Sequence, residues 1–136
     1  MRTKITIITA LTLLLCVGAS ASDPKTHDVN NIDWKKAEVN YTAALNSANF
    51  GVRNSAAGHI GEYRLTGAVN NLVVVLRTDK VEKIRMAAAL ALVKIGNEKA
   101  RKAVREASIY DGSEKVAKFC EQLIKDDVQD LNISIR

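Results

Sequence analysis

Small and aliphatic side chains return along this chain at an interval of 32 residues. Two positions show the interval most clearly: the first holds Val52, Ile84 and Val116, and the second holds Ala56, Ala88 and Cys120. Self-similarity with a period of roughly 20 to 50 residues is typical of stacked-repeat folds, in which each unit buries its apolar face against its neighbours. The pattern therefore predicts a repeat domain.

Within each interval, apolar residues recur every three or four positions, which predicts helices. Asp33 and Ser113 are suited to cap the first and last helix, and Gly96 to end the clearest one. The run from Val73 to Leu76 fits a strand as well as a helix, but its repeat equivalent has a helical pattern, so we predict a helix. About six helices are expected, over residues 33–47, 52–64, 68–77, 81–95, 99–108 and 113–126.

The apolar stripes predict which residues face the core. Trp34 and Tyr41 lie on the stripe of the first helix, and Val52, His59 and Tyr63 lie on that of the second. We expect these five side chains to pack inward, with His59 partly buried.

The first 21 residues have the composition of a secretory signal peptide. Arg2 and Lys4 precede an apolar run over 5–17, and small residues at 19–21 match a cleavage site. The run is shorter than the roughly 20 residues of a membrane-spanning helix; a membrane anchor and a lipoprotein lipidated at Cys16 are the alternatives. We predict a signal peptide over 1–21, a flexible leader over 22–32 and an exported protein, periplasmic or secreted.

The spacing of apolar residues changes at the C-terminal end of the sequence. Leu131, Ile133 and Ile135 alternate with polar residues in a period of two. We therefore predict that the repeat domain spans 33–126 and that 127–136 forms a C-terminal tail. The tail is interpreted either as a frayed terminus or as a segment that covers the end of the stack or adds to a partner's sheet edge.

Charge and cysteine content narrow the functional classes. The chain has 20 Lys and Arg against 15 Asp and Glu, and losing Arg2 and Lys4 lowers its net charge from +5 to +3, too little to indicate nucleic-acid binding. Cleavage also leaves Cys120 as the single cysteine, which we interpret as a small buried side chain. No catalytic or metal-binding motif such as HExxH or GxSxG occurs, so we expect no enzyme, no cofactor and no metal site.

The segment from Ile84 to Gly96 resembles the first helix of a HEAT-like repeat. An apolar residue is followed by Arg85, small residues, an Ala-Leu pair and Ile-Gly at the turn. The chain is similar to the short bacterial type related to phycobilin lyase subunits, over about residues 33–126. The resemblance implies a right-handed α-solenoid of helical hairpins that acts as a protein-binding scaffold. Lyase activity belongs to the cytoplasm, so the predicted export argues against it.

Arg53 and Arg85 occupy equivalent positions early in their helices. We expect each to bridge to a carbonyl or carboxylate of the neighbouring unit, with Asp79 and Asp111 as candidates. Small residues at other repeat positions let adjacent helices approach closely. The structural positions of the repeat are Arg53, Arg85, Ala56, Ala88 and Cys120.

The same resemblance suggests a contact face, because the second helix of each HEAT-like pair lines the concave side of the stack. These are the predicted helices 68–77 and 99–108. Their candidate protein-binding residues are Lys99, Arg101, Lys102, Arg105, Asn70, Asn71 and Arg77. The basic residues indicate an acidic protein surface or an anionic envelope polymer as partner; the alternative is a solvated helix face with i,i+4 ion pairs.

The sequence therefore predicts an exported scaffold that mediates protein–protein interaction or assembly. A half unit at each end leaves apolar surface, so a homo-oligomer formed by self-association or end-to-end docking is a second expectation. The alternative from a different class is a small lyase-like enzyme that uses His59 and Cys120. Neither a nucleic-acid partner nor a transmembrane segment in the mature chain is expected.

Overall fold

Residues 32–134 are described by a computed structural model, and their side chains as far as Gln129. The predicted signal peptide over 1–21 lies outside these residues, as does the leader over 22–32 apart from Ile32. Both remain predictions.

The described residues form six α-helices and one short 3-10 turn, with no strand among them. In chain order the elements are α1 Trp34–Ala44, α2 Phe50–Glu62, the turn Thr66–Ala68, α3 Val69–Thr78, α4 Glu82–Ile95, α5 Glu98–Tyr110 and α6 Glu114–Ser134. The all-α class is confirmed, and so is the helical assignment of Val73 to Leu76.

Side chains that accept backbone hydrogen bonds fix where several helices begin. Asp33 Oδ1 accepts from the Lys36 amide at 3.0 Å, and Asn97 Oδ1 accepts from the Ala100 amide at 2.8 Å. Each satisfies an N–H group that the first turn of a helix leaves without a partner. Gly96 ends α4 with φ +71°, a conformation that costs glycine little.

The helices form two layers. The first layer contains α2, α4 and α6, and the second contains α1, α3 and α5. Within the layers α2 contacts α4, α4 contacts α6 and α3 contacts α5, whereas α1 contacts the turn Thr66–Ala68. Each second-layer helix also contacts the first-layer helix that follows it. This arrangement repeats one helical hairpin along the stack, as the interval of 32 residues predicts.

The core lies between the layers and consists of aliphatic and small side chains. Its largest fully buried members are Leu45, Ile60, Leu72, Leu76, Ile84, Leu92, Val104, Val116 and Cys120. Small residues allow close packing: a Cβ added to Gly61 of α2 would lie 2.7 Å from the Ala91 Cα of α4. A larger side chain at this position would push α2 and α4 apart.

The C-terminal tail predicted over 127–136 is helical as far as Ser134, because α6 continues through residues 127–134; the boundary of the repeat domain at 126 stays a prediction. The alternation at Leu131 and Ile133 does not produce a strand there. Ile124, Val128 and Leu131 also follow a spacing of four and three residues, which suits a helix, and neither glycine nor proline interrupts the segment.

Candidate functional site

Two equivalent arginine–aspartate clamps tie the layers together and thereby fix the spacing of α3 and α5. Arg53 Nε lies 2.8 Å from Asp79 Oδ2, and Arg85 Nε lies 2.9 Å from Asp111 Oδ2. Arg85 Nη1 also donates to the Asp79 carbonyl at 2.8 Å. The predicted bridges are therefore present, and Arg85 links both clamps.

The clamp at Asp111 is shielded from solvent, with the Asp111 side chain only 6% exposed. Burial alone would raise the pKa of Asp111, but hydrogen bonds from Arg85 and from the Ser113 amide, together with the Arg85 charge, lower it below its ordinary value. The hydrogen bond to Asp111 correspondingly raises the pKa of Arg85. The pair is ionised at neutral pH and holds the end of α5 in place.

A groove runs between α3 and α5 on the second layer. Its wider part has a volume of about 480 Å³, with Leu76, Ala103, Ala107 and Tyr110 among its lining residues. Its narrower part, of about 230 Å³, is lined by Val73, Lys99 and Lys102 among others. We call this surface the basic groove.

An exposed ion pair between Arg77 of α3 and Glu106 of α5 borders both parts of the basic groove. Asn70 is exposed one helical turn before Val73, and Asn71 is half-buried. The groove thus combines an apolar floor with a cationic end at Lys99 and Lys102. This pattern suits a chain segment that carries both an apolar and an acidic side chain.

The four basic residues of α5 do not form one patch. Lys99 and Lys102 border the basic groove, whereas Arg101 Nε donates to Asp127 Oδ2 of α6 at 2.8 Å. Arg105 lines a separate hollow of about 250 Å³ together with Arg101. Helical geometry explains the split, because residues 101 and 105 share one face of α5 while 99 and 102 lie on another. The single basic patch expected from the sequence is corrected accordingly.

The HEAT-like pattern is supported by comparison with protein families, in which residues 39–124 match HEAT repeats. The chain belongs to the HEAT repeat family. Comparisons with curated proteins and with solved structures gave no significant match. HEAT repeats commonly act as protein-interaction scaffolds. The second layer of this HEAT repeat stack, which carries the basic groove, is the one that the resemblance places on the concave side.

The two residues considered for catalysis lie on different helices. Cys120 of α6 is 0% exposed, and burial, reinforced by the Asp111 charge, raises the pKa of its thiol to about 11. At neutral pH the thiol stays protonated and is a poor nucleophile. His59 lies on α2, on the opposite side of α4 from α6. The described residues contain no cluster of His, Cys, Asp and Glu suited to a metal ion.

His59 is exposed rather than partly buried, which corrects the prediction. Its ring stacks on Tyr63 with a centroid distance of 5.9 Å and an interplanar angle of 10°. Trp34 also approaches Tyr63, at 4.8 Å between centroids. Of the side chains expected to pack inward here, Tyr41 is half-buried, while Trp34, Val52 and Tyr63 are exposed.

Sequence reasoning therefore missed an aromatic surface on α1 and α2. The chain has only one Trp, three Tyr and two Phe, and four of these six residues lie between positions 34 and 63. That concentration was a signal for this surface. Within residues 32–134, none of the helices is both long and apolar enough to cross a membrane.

Proposed function

We propose that this HEAT repeat protein is an exported interaction scaffold that binds a segment of another protein in the basic groove. The observation that carries the proposal is that two adjacent hollows share Arg77, Ala103 and Glu106. The larger hollow has apolar lining residues, and the smaller one is lined by Lys99 and Lys102, both exposed to solvent. Apolar contact supplies affinity for such a segment, and the two ammonium groups select an acidic side chain at one end.

A peptide library displayed on phage tests the groove. We expect selected peptides to combine an acidic residue with aliphatic or aromatic residues. Charge reversal by Lys99→Glu with Lys102→Glu should weaken their binding by about tenfold or more, and raising the salt concentration should weaken binding to the unaltered protein.

The matched control reverses two exposed lysines elsewhere, by Lys83→Glu with Lys115→Glu. These residues are repeat equivalents at the starts of α4 and α6, and their reversal changes the net charge equally. Equal losses in both double variants would show that only overall charge matters. If the library yields no peptides while the unaltered protein binds an anionic envelope polymer in a separate binding assay, the envelope-polymer alternative is favoured.

Export rests on the sequence of the first 21 residues and has a separate test. Protein recovered from its native host should lack residues 1–21 and begin at Ser22, as N-terminal sequencing or intact mass measures. An unprocessed chain recovered from the cytoplasmic fraction would contradict this part of the proposal.

A further inference from the structure

The face of α5 that borders the basic groove changes its chemistry along the helix. Lys99, Ala103, Glu106 and Tyr110 follow one another at separations of four, three and four residues, which places them on one stripe. All four line the hollows of the groove, and Tyr110 is 80% exposed, more than any other large hydrophobic residue in the described part of the chain. The stripe therefore runs from a cationic end to an aromatic end.

The ion pair between Arg77 of α3 and Glu106 of α5 crosses the groove between these two ends. Arg77 Nη2 lies 2.5 Å from Glu106 Oε2, and the two side chains are 60% and 37% exposed. A guanidinium group has five N–H donors and a carboxylate accepts at two oxygens. The paired side chains therefore retain capacity for further hydrogen bonds in the middle of the groove.

This hydrogen-bonding capacity favours an extended chain over a helix as the occupant. An extended chain needs partners for its backbone N–H and C=O groups, and Glu106 and Arg77 supply one of each kind. A helix satisfies its own backbone, and with a diameter of about 10 Å it would have to displace the ion pair to reach both hollows. Charge complementarity places an acidic residue of the occupant at Lys99 and Lys102, and apolar contact places a large apolar residue at Tyr110.

The length of the stripe gives the separation of these two side chains. Lys102 precedes Tyr110 by eight residues and Lys99 by eleven, which corresponds to about 12 Å and about 16 Å along the helix axis. An extended chain covers this distance in four or five residues, at about 3.3 Å each. Its side chains alternate between two sides, so residues four apart point the same way and residues five apart do not. A separation of four residues therefore fits the groove.

The residue midway between the acidic and the apolar residue meets the ion pair. In an extended chain it points to the same side as they do, at the level of Arg77 and Glu106. A carboxylate there would be repelled by Glu106 and an ammonium group by Arg77, whereas an uncharged side chain leaves the pair intact. Glu106 thus confines the acidic residue of the occupant to the lysine end.

We infer that the partner contributes an extended segment in which an acidic residue lies four positions from a large apolar residue, in either order, with an uncharged residue midway between them. The inference rests on the proposed function. It adds the conformation of the bound segment, the spacing of its side chains and a specificity-determining residue, Glu106.

Fluorescence anisotropy with synthetic peptides tests the spacing, on protein expressed from the full-length sequence and purified as the host processes it. The parent is a peptide selected from the phage library, acetylated and amidated so that neither terminus is charged. Alanine and serine replace its linking residues and set the acidic-to-apolar separation at two to nine positions. We expect tightest binding at four, with dissociation constants about tenfold higher at three and at five. Tightest binding at any other separation would overturn the inference, and a maximum near eight would identify a helical segment.

Glu106→Gln tests the specificity. In the unaltered protein, glutamate at the midway residue should weaken binding by about tenfold relative to alanine. In Glu106→Gln this penalty should fall below about threefold, because Arg77 then receives the added carboxylate. The matched control Glu98→Gln removes an exposed carboxylate of α5 outside both hollows and should keep the penalty. Equal penalties in all three proteins would overturn the role of Glu106.

A second pair of variants tests the aromatic end. Tyr110→Ala should raise the dissociation constant of the four-residue spacing peptide by about tenfold, because an exposed tyrosine beside a hollow is a typical anchor. Ile109→Ala truncates an exposed neighbour that does not line the hollow and should change the constant by less than about twofold. Equal effects of the two substitutions would overturn the placement of the apolar residue.

The outcomes separate this inference from the proposed function. Peptides that lose binding in Lys99→Glu with Lys102→Glu but tolerate every separation would support the proposed function and overturn this inference. A library that yields no peptide for the basic groove would overturn both.

Discussion

The two ends of the described stack differ in the polarity of their exposed faces. At one end of the described stack, which we call the capped end, Glu121 and Lys125 of α6 occupy the positions of Ala57 and Gly61 in α2, and α6 faces solvent with an ion pair. At the other end of the described stack, which we call the open end, Trp34, Val52 and Tyr63 of α1, α2 and the residue after α2 are exposed. Repeat proteins require terminal units with a polar outer face for solubility, and among the described helices α6 has such a face.

Equivalent repeat positions therefore have different environments at the two ends. The same aliphatic site is buried in α4 and α6 and exposed in α2, because burial depends on the neighbouring unit rather than on the residue itself. Conversely, the same interface site changes from Gly61 to Lys125 where no neighbour follows. The polarity at a repeat position therefore depends on whether a neighbouring helix covers it.

The largest effect should come from truncating the buried copy of the repeated aliphatic residue. Ile84→Ala removes a side chain that is 0% exposed and should lower the free energy of unfolding by about 2 to 5 kcal/mol, since it leaves a cavity. Urea denaturation measures the change. The matched substitution Val52→Ala should cost less than about 1 kcal/mol, because Val52 is already 43% exposed. Equal costs would remove the distinction between the inner units and the open end.

A second comparison uses the interface site between first-layer helices. Gly61→Leu forces a side chain into the close contact with Ala91 and should destabilise the protein by about 1 to 3 kcal/mol through overpacking. Lys125→Leu, at the equivalent site of the capped end, should change stability by less than about 0.5 kcal/mol. Thermal unfolding of both variants checks this. A tolerated leucine at position 61 would contradict the close packing of α2 on α4.

The clamp between units should depend on pH. Asp111→Asn should cost about 1 to 3 kcal/mol at pH 7, because it leaves Arg85 without its ionic partner. The folded protein lowers the pKa of Asp111 below its ordinary value of 3.8, so the carboxylate contributes stability above that value and loses it as the pH falls through the folded pKa.

Unfolding free energies measured from pH 7 downward test this sign. The difference between the unaltered protein and Asp111→Asn should stay constant to about pH 5 and then shrink. Asp126→Asn, on the exposed face of α6, is the control and should have little effect. A difference that grows on acidification would contradict the clamp.

The smallest effect concerns the turn that ends α2. Arg64 adopts φ 49°, a left-handed conformation that favours glycine, and its repeat equivalent is Gly96 with φ +71°. Arg64→Gly should therefore stabilise the protein by about 0.5 to 1 kcal/mol. Gly96→Arg should destabilise it, and both are measured by denaturant unfolding. Destabilisation by Arg64→Gly would show that the arginine side chain contributes more than its backbone costs.

Much of the fold could be predicted from the sequence because the repeat supplies several copies of each signal. The ambiguous run from Val73 to Leu76 was assigned correctly from its equivalent in α5, and the Arg53 and Arg85 bridges followed from their shared spacing to an aspartate. Such inferences succeed where every unit has neighbours on both sides.

The candidate site was predicted less completely, for a physical reason. The spacing of apolar residues places Val52 and His59 on an inward stripe, but it does not show whether a helix covers that stripe. The basic residues of α5 are close in sequence, yet the angle between successive helical residues turns Arg101 toward α6 and Lys99 toward α3. Both errors concern which helices lie next to a given helix, and the spacing of apolar residues within one helix does not specify its neighbours.

Hydrogen exchange of backbone amides tests the difference between inner and terminal helices most directly. We predict that amides of α4, which contacts α2, α3, α5 and α6, exchange more slowly than those of α1, which contacts α2 and the turn Thr66–Ala68. Equal exchange rates in α1 and α4 would contradict this difference.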